Sequence, residues 1–193
     1  MNRLRLFIAL VFSALVLIPA YVAADDYSKA AKVFRDSPVV NPYFKKSYGY
    51  AIFPTIGKGG IGIGGAHGSG QVYRGGKLAG KTSMTQLSIG WQLGGQAYSQ
   101  IIFFQDKRSY NEFTSGNFEF GAQASAVAIT AGAQAQAGTG GSTASASPGG
   151  SAGAQAKTNY HKGMAVFTRA KGGLMYEAAI GGQKFSFTPV GKK

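Results

Sequence analysis

The sequence predicts an α+β, β-dominated domain: an antiparallel sandwich or partly closed barrel with short N-terminal helices. Three observations lead there. Apolar residues repeat with a helical period up to about Gly49 and with a period of two beyond it. The 30 glycines, many of them paired, punctuate the period-two runs where turns are needed. The chain of 193 residues can bury one core, and having no cysteine it must hold its fold by that core without disulfides.

Arg3 and Arg5 precede an apolar run over residues 6–18, followed by Pro19 and the small residues Val22, Ala23 and Ala24. That order is a secretory signal peptide over residues 1–24; the 13-residue run is shorter than the ~20 residues that span a bilayer. Residues 25–193 are then expected to form one exported domain. Export without cysteine points to a bacterial periplasm or envelope, with the protein peripheral to the membrane. Tyr27, Ala30, Ala31 and Phe34 fall at i, i+3, i+4 and i+7, the stripe of an amphipathic helix started by Asp25 and Asp26 and ended by Ser37-Pro38. Asn41-Pro42 reads as a cap followed by proline and predicts a short second helix closing near Gly49.

Residues 50–56 are aromatic and β-branched, Ile61 and Ile63 alternate with glycine, and Val72-Tyr73 lies between glycine pairs that read as turns. In residues 86–93, Leu87, Ile89, Trp91 and Leu93 share one face and Gln86, Ser88, Gly90 and Gln92 the other, the pattern of a half-buried antiparallel strand. Gly94-Gly95 marks a turn or bulge before a strand over residues 96–104, wholly apolar at its end. Residues 106–113 read as a turn or two of helix capped by Asp106 and stopped by Gly116. Alternation returns over residues 118–129, with Ala122, Ala124, Ala126 and Ala128 on one face. Residues 131–156 hold only Ala, Gly, Gln, Thr, Ser and Pro148, too little apolar surface to offset the entropy of ordering, so a flexible loop is expected over 131–158. Final strands are expected at 162–169, 172–180 and 184–189.

Gly57-Lys58-Gly59-Gly60-Ile61-Gly62 has the letters of a dinucleotide fingerprint, but it continues as a glycine-rich strand where that fingerprint must open a helix. A tight turn is the expectation there. His67 and His161 have no second ligand at metal spacing, and the 7 acidic residues form no acid–base motif. The chain is therefore expected to be no enzyme and to use no metal or cofactor. Its charge points elsewhere. The whole chain carries +13; without Arg3 and Arg5, 18 basic and 7 acidic side chains remain, a net +11 that concentrates anionic partners. Export takes nucleic acid out of reach, whereas anionic phospholipid and other envelope polyanions share the compartment. Cations lie among aromatics at Tyr43, Phe44, Lys45, Lys46, Tyr48 and Tyr50, then at Lys58, Arg74, Lys77 and Lys81.

The stretches YGYAIFPTIGKGGIGIGGAHGSGQVY, LSIGWQLGGQAYSQIIFF, DKRSYNEFTSGNFEFGAQASAVA and KGGLMYEAAIGGQKFSF resemble the SYLF domain family over most of the mature chain. The resemblance implies a lipid-binding module, best known in eukaryotic proteins that bind phosphoinositides and in some cases actin, and found also in short exported bacterial proteins. It implies binding through a basic N-terminal helix and surface, which makes Lys29, Lys32, Arg35, Lys45, Lys46 and Lys58 headgroup candidates. Arg74, Lys77 and Lys81 join them from the cation–aromatic pattern, and Tyr27, Phe34, Tyr43 and Phe44 are expected to meet the acyl boundary. Alternatives are a protein-binding or scaffold role in the envelope, or an integral outer-membrane barrel.

Overall fold

The computed structural model describes residues 21–61, 63–89, 96–122, 124, 126–130, 133–136, 160–171 and 180–191. Helix α1 (Tyr21–Arg35) starts before Asp25, because the Tyr-Val-Ala-Ala run contains no breaker; the acids lie inside the helix instead of opening it. Helix α2 (Asn41–Lys46) carries Pro42 in its first turn. Asn41 does not cap it; its side-chain amide donates to the Arg35 carbonyl at 2.7 Å and ties the two helices together.

The strands β1 (Gly49–Ile61), β2 (Ile63–Arg74) and β3 (Lys77–Ile89) form an antiparallel meander, and β4 (Gln96–Phe104) returns to pair with β1. After α3 (Lys107–Phe113) come β5 (Phe118–Glu119), β6 (Val127–Thr130), β7 (Ala133–Gln136), β8 (Met164–Lys171) and β9 (Lys184–Pro189). Among the described residues the sheet order is β5-β9-β3-β2-β1-β4-β8-β6-β7. The seven strands from β5 to β8 pair antiparallel and curl into a half-barrel, while β6 joins β8 in parallel. This is the partly closed barrel of the two expected forms.

Chain length alone requires the curl. β5 and β6 stand seven places apart in the sheet, roughly 34 Å if it were flat at about 4.8 Å per strand. Glu119 and Val127 are eight residues apart, at most about 28 Å of extended chain. Part of that length goes into a turn, where the Ala124 N–H donates to the Gly121 carbonyl at 2.9 Å. The single strand expected over residues 118–129 is therefore two pieces on opposite flanks of the sheet. The break comes where Phe120 exchanges backbone hydrogen bonds with Gly182 and Gln183. Of the loop expected from residue 131, Ala133–Gln136 pairs with β6; residues 137–159 and most of the strand expected at 172–180 lie outside the described residues.

Two apolar layers flank the sheet. Inside the curl, Ala51, Phe53, Ile56, Val72, Met84, Ile102 and Phe104 pack with Tyr110 and Phe113 of α3. Outside, Ile52, Ile101, Phe103 and Phe167 are covered by Ala30, Ala31 and Phe34 of α1. Inward residues change parity between Phe53 and Ile56 because both β1 ladders shift register there. That bulge accommodates Pro54, which has no N–H to give a central strand, and the Pro54 carbonyl accepts from the Ser99 hydroxyl at 2.8 Å.

Two sequence expectations are refined in β1 and β3. Residues 57–61 continue β1 as strand, with Lys58 opposite Ala66 and Gln96, and the expected reversal between strands comes only at the end of the motif, where Ile61 pairs with Ile63. In β3 it is Gln86 that is buried, while Leu87 is 79% exposed. Gln86 tolerates the interior because its Nε2 donates to the Gly181 carbonyl at 2.9 Å.

Candidate functional site

Strand register brings four chain segments to one end of the half-barrel. Gly49 lies opposite both Arg74 and Phe104, Arg74 opposite Lys77, and Phe104 opposite Met164. The residues just beyond those positions therefore meet: Lys45 and Lys46 at the end of α2, Arg74 and Lys77 across the β2–β3 turn, Lys107 and Arg108 opening α3, and Lys162 before β8. Gly75 and Gly76 make that turn with φ of 55° and 75°, left-handed values that glycine takes without a Cβ penalty.

Direct contacts stitch the segments together. The Tyr48 N–H donates to the Phe104 carbonyl at 2.8 Å, and the Ser47 and Tyr160 hydroxyls lie 2.8 Å apart. The Arg74 guanidinium sits over the Tyr110 ring at 5.6 Å, and that ring stands 5.5 Å from Tyr48. Arg108 donates to the Lys162 carbonyl at 3.4 Å. All seven cations are exposed.

Among the described residues two acids share this end, and both are engaged. Asp106 caps α3 by accepting from the Ser109 N–H at 2.8 Å, with the Ser109 hydroxyl completing a capping box. The Ser109 backbone hydrogen bond holds the Asp106 carboxyl below the usual carboxylate range. Glu112 pairs with Arg108 at 3.4 Å. The other six cations have no acidic partner among the described residues. At the same rim Leu78 is 41% and Val190 58% exposed, joined through the Val190 N–H donating to the Ala79 carbonyl at 3.0 Å.

Of the nine cations expected from sequence, Lys45, Lys46, Arg74 and Lys77 converge here. Lys29 pairs with Asp25 at 2.5 Å and Lys32 with Asp36 at 2.8 Å, exposed helical pairs that solvent screens. Arg35 lies over the Phe44 ring at 4.6 Å. Lys58 is toward the opposite end of β1, and Lys81 is midway along β3 opposite Gln71 and Thr188. Lys107, Arg108 and Lys162 were not singled out from sequence. The Asp106 cap foretold α3, but only the β4–β8 ladder brings Lys162 beside it.

The four aromatic candidates lie against the sheet. Phe34 is fully buried, and Tyr27, Tyr43 and Phe44 pack on the outer face of the sheet. Tyr43 stands 5.0 Å from Phe167, and Phe44 stands 4.9 Å from Phe103. The apolar stripe of the N-terminal helices covers this face of the sheet. A separate cleft of about 440 Å³ is lined by Glu119, Phe120, Gly121, Ala122, Gly181 and Gly182. Its one carboxylate, Glu119, faces Lys184 at 3.5 Å.

Residues 85–187 match the family model Ysc84, described as Las17-binding protein actin regulator. Beta cell expansion factor A of Aeromonas veronii is 26% identical over 157 residues, covering 80% of this chain and 51% of the relative. The chain thus spans about half the length of the curated relative it matches.

Proposed function

The chain belongs to the Ysc84 family, the SYLF-domain proteins, and from that membership we propose that it binds anionic phospholipid headgroups peripherally at a bacterial envelope membrane, without catalysis. The observation that carries this reading is the basic end. Lys45, Lys46, Arg74, Lys77, Lys107 and Lys162 gather there without acidic partners among the described residues. A lysine or arginine near an anionic leaflet gains about 1 kcal/mol, so several acting together give firm attachment where one would not. The signal-peptide reading of residues 1–24 supplies the compartment.

The uncovered outer face supports a peripheral module over an integral barrel. His67, Ser69, Lys81 and Thr85 are exposed there, whereas the lipid-facing wall of a membrane barrel is apolar.

Co-sedimentation of the secreted protein with phosphatidylcholine vesicles of graded phosphatidylglycerol content tests the proposal. Binding should rise with phosphatidylglycerol and fall from low to physiological salt. An absence of pelleting at both salts would overturn it and favour a protein partner, the second reading, which the family's own description supports. β7 closes one flank of the sheet among the described residues, and a partner strand could extend it there.

A further inference from the structure

Resting on that reading, we infer that the protein docks on the anionic phospholipid surface end-on. The rim formed by Lys45, Lys46, the β2–β3 turn, the start of α3 and Lys162 faces the headgroups, and Leu78 and Val190 enter the interface beside Lys77. The strands then stand away from the bilayer, and the N-terminal helices stay on the sheet.

Three surfaces compete for the role. The α1 face offers Lys29 and Lys32, both paired with carboxylates of the same helix, and its rings are committed to the outer layer. Leaving the sheet would expose Phe34, which is fully buried. The opposite end offers Lys58 and Lys171, and Lys171 already donates to the Thr55 hydroxyl at 2.6 Å. Toward that end Leu87 is exposed but Lys58 is half-buried; among the described residues only the basic end combines several exposed cations lacking acidic partners with exposed aliphatic side chains on one rim. That is the pair of chemistries a headgroup layer over an acyl boundary rewards: phosphates for the cations, and a less polar depth for Leu78 and Val190. Lys107 and Lys162, distant in sequence and outside the N-terminal basic stretch, become binding residues in this orientation.

Charge-matched reversals separate docking geometry from net charge. Lys107→Glu/Lys162→Glu and Lys58→Glu/Lys171→Glu change the net charge equally at opposite ends. The first should weaken binding to phosphatidylglycerol vesicles about thirty-fold or more, which is about 2 kcal/mol at 1.4 kcal/mol per tenfold. The second should weaken it less than three-fold. Since the chain has no cysteine, single cysteines carrying an environment-sensitive dye can report depth. A dye at position 190 should shift to the blue on vesicles, and one at position 85 should not.

Equal losses from the two reversals, or a blue shift at position 85 and none at 190, would overturn end-on docking while leaving lipid binding standing. Failure of the unaltered protein to pellet would instead sink the lipid reading itself. If the Lys107/Lys162 reversal weakened binding only to a soluble polyanion such as heparin and left vesicle binding unchanged, the rim would be a polyanion site and the inference would fall.

Discussion

Gln100 and Gln183 hold each other inside the half-barrel. The Gln100 Nε2 donates to the Gln183 Oε1 at 2.9 Å, and the Gln183 Nε2 donates to the Gln100 Oε1 and to the Tyr98 hydroxyl, each at 3.2 Å. Neither glutamine is exposed, and Gln100 stands opposite Phe53 on β1 and Thr168 on β8. A buried amide pair of this kind contributes little net stability when complete and costs much when halved.

Gln183→Ala should therefore destabilise the fold by about 2–3 kcal/mol, because it strands the Gln100 amide and leaves a void. Replacing both glutamines by leucine should cost less than Gln183→Ala, since neither amide is left stranded and the Tyr98 hydroxyl is the one group that loses its hydrogen bond to the pair. Urea unfolding of Gln100→Leu, Gln183→Leu and the double leucine variant gives the coupling directly. A loss below ~0.5 kcal/mol for Gln183→Ala would show that the pair does not support the fold.

Tyr98 sets an alkaline limit on stability. Burial pushes its phenol up to about 12, with the Gln183 hydrogen bond opposing in part. In the unfolded chain the phenol titrates near 10, so between roughly pH 10 and 12 the unfolded state binds fewer protons and stability falls as pH rises. The stabilisation is fully present below pH ~10 and amounts to a few kcal/mol lost by pH ~12. Tyr98→Phe should flatten that part of the pH profile relative to the parent. Urea midpoints measured from pH 9 to 12 would refute the assignment if the two profiles stayed parallel.

Glycines on β2 make room for the core. A Cβ at position 70 would lie 2.6 Å from the Phe53 ring and 2.8 Å from the Thr82 Cγ2, whereas one at position 57 would meet nothing within 4 Å. Gly70→Ala should cost about 1–3 kcal/mol through overpacking. Gly57→Ala should be neutral or stabilising by up to ~1 kcal/mol, since it restricts only the unfolded chain. Thermal midpoints that moved equally in the two variants would contradict this difference.

The contrast between strands and surface explains what the sequence disclosed. Local signals were legible: the α1 stripe ending at Phe34, the Asp106 cap, and the period-two runs that became β1, β4 and β9. What failed depended on tertiary contacts. The alternation around Leu87 predicts a half-buried strand but cannot tell which face the curl encloses; Gly181, distant in the chain, decides it by satisfying Gln86. The alternation over residues 118–129 looks continuous because nothing local records that Phe120 must bond to Gln183. The candidate site was half legible for the same reason. Lys45, Lys46, Arg74 and Lys77 lie near aromatics in sequence, but Lys107 and Lys162 join them only through strand register.

Thr168 poses the last test of the interior. It is 1% exposed, stands opposite Gln100 across the β4–β8 ladder, and its Oγ1 has no hydrogen-bond partner among the described residues. A buried hydroxyl without a partner costs about 1–3 kcal/mol of desolvation. Thr168→Val keeps the branched shape and removes that cost, so its urea midpoint should equal or exceed the parent's by an amount worth up to ~2 kcal/mol. Thr168→Ser keeps the hydroxyl and loses a methyl group, and should be less stable by about 1 kcal/mol. The two variants thus move in opposite directions from one position. A valine variant less stable than the parent by 1 kcal/mol or more would mean that the hydroxyl meets a bound water or ligand inside the curl, and the polar patch formed by Tyr98, Gln100, Gln183 and Thr168 would then have an occupant.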